Sequence, residues 1–197
     1  RGDKVHLIGH IAPDNRECTQ QWTDNFLRIL ERFKETVTAQ FYGHTHKDEF
    51  RVYYSPSTNE PIGMAFLGPS LTSFKGNNPA YRIYSVNEDN TVQNHETYFF
   101  NLTEANQSAV GPRWSLEYSA LENLHIYSMD AHEWHRFIEK MNENDDLFRM
   151  FYNFHSRFSD VKPFEKCDIS CKHEILEELK VYDSRKQKQK QFSKKYH

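Results

Sequence analysis

Two histidines stand two residues apart in "QFYGHTHKDEF" (40–50), directly after a short apolar run that ends at Gly43. A neutral imidazole offers a nitrogen lone pair to a divalent metal, and a glycine beside it removes the side chain that would keep the backbone away. His44 and His46 therefore read as metal ligands. His10, which follows Gly9 after another apolar run in "KVHLIGH", joins them as a third. The remaining histidines read differently: His6 alternates into its strand as a core or supporting residue, and His95, His132, His135 and His155 fall in strand or helix contexts that predict packing roles.

The hydrophobic pattern supplies the elements that must position these residues. Val5, Leu7 and Ile8 predict a short buried strand, and Ala39 to Tyr42 in "TAQFYG" a second one. Between them, Thr19 to about Val37 places Trp22, Phe26, Leu30, Phe33 and Val37 at helical spacing, with Thr19 as the N-cap. Strand, helix and strand over about 40 residues form a βαβ unit with parallel strands and a right-handed crossover. Both Gly-His pairs then lie at C-terminal strand ends on one sheet edge, where open α/β folds bind ligands, and His10 and His44 become neighbours.

After His46 the texture changes. "EFRVYYS", "GMAFLG", "YRIYSVN" and "HETYFFNLT" predict short strands in an antiparallel meander closing one side of the sheet. From about Ser119 the pattern is helical through "AHEWHRFIEKM" and "DDLFRMFYNFHSRF", and "DSRKQKQKQFSKKYH" is a basic polar tail.

The chain's 197 residues suffice for a sizeable core, in keeping with 15% aromatic content. A formal net charge of −3 gives no global field for nucleic acid, so no nucleic-acid partner is expected. No apolar run approaches the roughly 18 to 20 residues needed to cross a bilayer. Arg1-Gly2-Asp3-Lys4 is neither an initiator methionine nor a signal peptide, so the chain is expected to be a fragment. Cys167 and Cys171 sit four apart in "CDISC", Cys18 stands alone, and "FNLTEANQS" holds two sequons, at Asn101 and Asn106. Together these predict a secreted or lysosomal protein, glycosylated at Asn101 and Asn106, with a local Cys167–Cys171 disulfide and a partner for Cys18 before residue 1.

An apolar strand ending in "GH", followed some 30 residues later by "GHTH", resembles the closing motifs of the calcineurin-like metallophosphoesterases. More narrowly, "HLIGHIAP", "AQFYGHTHKDEF", "FLGPSLTSFKGNNPAYRIY" and "HETYFFNLTEAN" resemble the acid sphingomyelinase family along nearly the whole chain, and "PRWSLEYSA" with "CDISC" resembles its C-terminal helical region. The same segments resemble the sphingomyelinase-like phosphodiesterases, with "HTHKDEF", "NPAYRIY" and "HETY" nearer the sphingomyelinase form. The resemblance implies an α/β fold: residues 1–118 as the C-terminal part of a metallophosphoesterase β-sandwich flanked by helices, 119–182 as a small helical region, and 183–197 as a tail.

The resemblance further implies two zinc ions, His10 and His44 binding one and His46 the other. It implies hydrolysis of sphingomyelin to ceramide and phosphocholine at a peripherally approached membrane surface. Alternatives on the same residues are a phosphodiesterase acting on nucleotide phosphates and a non-catalytic lumenal binding protein. The family's Asp-x-His pair, bridging Asp, and Asn followed by the acid-catalyst His have no match here. No catalytic residue is therefore assigned within the chain, and the acid histidine is expected upstream. Where the family places a Tyr near the choline headgroup, this chain has Phe74, which keeps an apolar face for a cation–π contact and lacks the hydroxyl. The family's last cysteine pair has no counterpart after Cys171.

Overall fold

Strand β1 (Val5–Ile8) pairs in parallel with β2 (Val37–Tyr42) through helix α1 (Gln20–Arg32) in the computed structural model, which describes residues 2–185. Next to β2 lies β4 (Pro61–Leu67), also parallel, and β3 (Glu49–Tyr54) runs antiparallel to β4. A short β8 (Lys180–Val181) closes this five-stranded sheet in the order β1-β2-β4-β3-β8. The chain is thus α/β. The expected single meander is instead divided: β3 and β4 belong to the mixed sheet, whereas β5 (Ala80–Val86), β6 (Val92–Phe99) and β7 (Ser115–Ser119) form a separate antiparallel sheet. The reason lies in "GPSLTSFKGNNP", whose turns carry the chain out of the first sheet before β5 begins.

Aromatic side chains join the two sheets. Phe41 and Phe66 of the first sheet pack on Tyr84 of the second, and Phe66 also meets His95. Helices α2 (Leu102–Gln107), α3 (Ala120–Asn123), α4 (Ala131–Glu143), α5 (Asp145–His155) and α6 (Ile169–Glu178) complete the chain. Trp134 of α4 reaches Phe50 and Phe66, so one apolar cluster runs from Ala39 to Tyr182 and crosses residue 118 without a break. Cys167 and Cys171 are joined by a disulfide at the start of α6, and Cys18 is free. At the expected tail, Asp183 is buried, and Ser184 bonds Asp24 of α1 through both its N–H and its hydroxyl. Residues 186–197 lie outside the described residues.

Two expectations are corrected here. Helix α1 ends at Arg32, and its buried face is Thr23, Asp24, Leu27 and Leu30, whereas Trp22 is 51% exposed and Phe33 is also exposed. Polar residues turn inward because each finds a partner: the Thr23 hydroxyl donates to the Asp14 carbonyl at 2.7 Å, and Asp24 takes Ser184. Strand β1 is not buried, since it is the sheet's outer strand and Ile8 is 84% exposed.

His155 supplies a test of the core. It is buried, and burial, aided by the charge of Lys47, pushes its pKa down to about 3 from an ordinary 6.5. Between those values the unfolded chain binds a proton that the folded chain refuses. The stability held above pH 6.5 is therefore lost as pH falls toward 3. Urea denaturation at pH 7 and pH 5 is expected to show about 2 kcal/mol more loss in the parent protein than in His155→Phe. Equal losses would show that His155 accepts a proton in the fold.

Candidate metal centre

The histidines owe their positions to backbone bonds between parallel strand ends. The Gly9 N–H donates to the Phe41 carbonyl at 3.0 Å, the Gly43 N–H to the His10 carbonyl at 3.0 Å, and the Gly68 N–H to the Tyr42 carbonyl at 2.9 Å. The loops after β1, β2 and β4 are thereby laced into one edge. Gly9 is required for a close approach, because a Cβ there would sit 2.8 Å from the Tyr42 ring; Gly43 has open space around it. His44 and His46 are both left-handed, with φ of 72° and 61°. Such conformations are strained for non-glycine residues and persist where surrounding structure holds them. The hold is visible at His46, whose carbonyl accepts from Arg157 Nη1 at 2.6 Å and Asn77 Nδ2 at 3.1 Å.

The edge brings two of the three imidazoles into contact. His10 Nε2 lies 3.2 Å from His44 Nδ1, with the rings nearly perpendicular. The other nitrogen of His44, Nε2, faces Glu17 Oε2 at 3.6 Å. A carboxylate in that place favours the proton on Nε2 and leaves Nδ1 as the lone-pair nitrogen. His46 lies in the same loop, and its Nδ1 is buried with no hydrogen-bond partner among the described residues. A cavity of about 430 Å³ is lined by His44, His46, Glu17, Arg51, Phe74 and Lys75, among others. Phe74, an exposed residue of this lining, has its ring 5.8 Å from that of His46, and the cation over the Phe74 face is Lys75 Nζ, at 5.8 Å. No group of three or more His, Cys, Asp or Glu among the described residues is close enough to hold a metal.

The other histidines are placed elsewhere. His6 bonds the Asn90 carbonyl, and His135 bonds the Tyr54 hydroxyl. His95 is buried against Trp134, and burial holds it well below the usual imidazole range. His132 lines a cavity of about 680 Å³ with residues from the starts of β2 and β4. Asn101 caps α2, its side-chain oxygen accepting from the Glu104 N–H, and Asn106 is exposed. Glu17, Asn77 and Arg157 were not singled out by sequence. Arg157 carried no local signal, being 111 residues from the loop it fixes.

The imidazoles thus stand at the strand-end edge where open α/β folds bind their ligands. Residues 60–195 match the model of the acid sphingomyelin phosphodiesterase C-terminal region, and the chain belongs to that family. It is 40% identical over 178 residues to the sphingomyelin phosphodiesterase of Bos taurus and 39% identical over the same length to that of Homo sapiens, each alignment covering 87% of this chain. The acid sphingomyelinase-like phosphodiesterase 3b of Homo sapiens is 28% identical over 172 residues, 79% of this chain and 37% of that protein. The chain spans 28% of the length of the first two relatives. An 87% alignment leaves at most about 26 of 197 residues outside, so it includes His44 and His46 whichever end is omitted.

The Gly9 contact generates a test. Gly9→Ala is expected to cost about 1–2 kcal/mol, since the new methyl must displace the half-buried Tyr42 ring, whereas Gly43→Ala changes stability by less than about 0.5 kcal/mol. Thermal denaturation of the two variants measures the difference, and similar values would mean that Tyr42 does not confine the strand end.

Proposed function

We propose that this chain contributes to a zinc-dependent sphingomyelin phosphodiesterase that converts sphingomyelin to ceramide and phosphocholine. On this reading, it forms the C-terminal part of a metallophosphoesterase β-sandwich, and the packing of Phe41 and Phe66 on Tyr84 supports that architecture. The 3.2 Å separation of His10 Nε2 and His44 Nδ1 carries the proposal. Two nitrogens each 2.0–2.1 Å from one tetrahedrally bound zinc lie roughly 3.3 Å apart, so this pair needs little rearrangement to share an ion. His46, with a buried free Nδ1, would serve the second ion. The remaining donors and the histidine that protonates the leaving group would come from sequence outside residues 1–197.

When bound, paired zinc ions supply Lewis acidity to a phosphoryl group and to an attacking water. The chain's own residues do the placing. Arg157 and Asn77 fix the His46 backbone, Glu17 orients His44, and Phe74 offers an apolar face to the part of the substrate outside the cavity. Similarity to proteins named sphingomyelin phosphodiesterase, at 31–40% identity, supports the lipid substrate. Secretion or delivery to the lysosome fits the Cys167–Cys171 disulfide. No helix among the described residues is long and apolar enough to cross a membrane, and contact with the lipid surface is proposed to be peripheral.

Two experiments follow. In the complete protein, His10→Ala and His44→Ala are expected to weaken one zinc and His46→Ala the other, each by more than about 100-fold in titration calorimetry, because a lost ligand costs more than the supporting contacts do. His135→Ala is expected to leave both unchanged; equal losses in all four would mean the site lies elsewhere. Expression through a secretory pathway is expected to glycosylate Asn101, whose amide nitrogen is not the atom engaged in capping. Peptide mapping that finds Asn101 unmodified would count against the secretory assignment.

A further inference from the structure

A smaller cavity of about 240 Å³ adjoins the histidine cavity and shares Lys47 and Glu178 with it. Its lining includes Lys162, Asn77 and His155. Lys162 Nζ donates to Asn77 Oδ1 at 2.7 Å, and the same asparagine donates to the His46 carbonyl. Lys162 is therefore tied to the histidine loop through one side chain. Lys75 lies in the lining of the histidine cavity, near enough for its charge to act on Lys162.

These cations share their cavities with carboxylates, and the charge of Lys47 acts on Glu49 and Glu178. Among the described residues, none of Lys47, Lys75 and Lys162 is in an ion pair, and the neighbouring carboxylates are engaged or solvated. Glu49 is held by Arg51 at 2.8 Å, Glu178 is paired with Arg16, and Glu174 is exposed. Arg157 is engaged by the His46 and Asn78 carbonyls. Lys162 accordingly sits below the usual lysine range, first through burial and then through the charges of Lys47, Arg157 and Lys75. Cations crowded at the wall of a cavity favour an anion within it, since one bound phosphate oxygen set can accept from several ammonium groups.

We propose that Lys47, Lys75 and Lys162 form a subsite for a second, phosphate-class anion beside the histidine centre. The anion comes either from the headgroup of an anionic lipid adjacent to the substrate or from free phosphate. The place of this subsite next to a reaction rests on the phosphodiesterase reading; its capacity to bind an anion does not. Lys75 Nζ lies over Phe74, so the ring that would face a choline cation lies beside an ammonium. An anion held between the lysines removes that repulsion.

The test uses two probes without added zinc: inorganic phosphate by titration calorimetry, and sedimentation with phosphatidylcholine vesicles with or without phosphatidylglycerol. Lys47→Gln with Lys162→Gln is expected to weaken binding of at least one probe by roughly tenfold or more. Lys4→Gln with Lys34→Gln, which alters two lysines of the 680 Å³ cavity, leaves it unchanged. Loss confined to phosphatidylglycerol vesicles assigns the anion to a lipid headgroup, and loss confined to phosphate assigns it to the free ion. Equal effects of the two double variants, or no zinc-independent binding of either probe, would overturn the subsite. Failure of the phosphodiesterase reading would appear instead as absent zinc-dependent phosphodiester turnover by the complete protein, with these titrations intact.

Discussion

Arg157 is the buried cation on which the histidine loop rests. Its guanidinium reaches the His46 carbonyl through Nη1 and the Asn78 carbonyl through Nε, and Asn78 Nδ2 returns a bond to the Arg157 carbonyl at 2.9 Å. Asn77 completes the ring by donating to His46. Three segments remote in sequence are thus closed on one another by bonds to backbone. Only a planar fork of donors can serve two carbonyls in fixed directions at once, and a lysine in this place would serve them as a point charge. Burial pulls the guanidinium below its usual range, and the charges of Asp48 and Glu117 oppose that pull. The left-handed backbone at His46 is strained locally and held by contacts made elsewhere in the chain.

The two residues after Lys47 anchor opposite layers. Asp48 accepts from Arg82 on β5, Thr97 on β6 and Tyr118 on β7, so each strand of the second sheet donates to one carboxylate at the end of the histidine loop. Glu49, its neighbour, points the other way, to Arg51, which in turn lies 3.7 Å from Asp14. Burial would raise the Glu49 pKa, but the charge of Arg51 outweighs it and holds the group at about 2. Removing Asp48 would leave the buried Arg82 without an ion-pair partner, a loss of about 3–5 kcal/mol, whereas removing Glu49 would leave Arg51 its longer contact to Asp14. Strand alternation is what allows consecutive acids to bind two layers, and it makes the loop a junction of the whole fold.

The parts of this arrangement that were legible in the sequence are those with local periodicity. Apolar runs ending in Gly-His gave the parallel strands and the convergence of His10 with His44, because strand ends follow from chain direction alone. The face of α1 was misread for a physical reason. Trp22 and Phe33 carry the strongest apolar signal, yet Thr23 and Asp24 go inward by finding hydrogen-bond partners at Asp14 and Ser184, which periodicity does not register. Arg157 and Asn77 were invisible for the same reason, since their role is to satisfy a carbonyl far along the chain. Residue types and spacing pointed to metal-binding imidazoles, whereas the expectation of two zinc ions, one on His10 and His44 and one on His46, came from the family resemblance.

The least supported of the three histidines is His10. It follows a four-residue strand at the sheet's outer position, paired on one side only among the described residues and with a register shift between Val5 and His6. What holds its loop are the Gly9 and Gly43 backbone bonds and the approach of Gly9 to Tyr42. An edge of this kind frays before the interior strands do. In the proposed centre, an ion shared by His10 and His44 would cross-link the loop after β1 to the loop after β2. Ion binding and edge docking then form one equilibrium. Each tenfold rise in free ion above the dissociation constant adds about 1.4 kcal/mol to the docked state, comparable to a few strand hydrogen bonds. In that proposed centre the edge strand would gain its firmest attachment from the ion that its own histidine helps to bind.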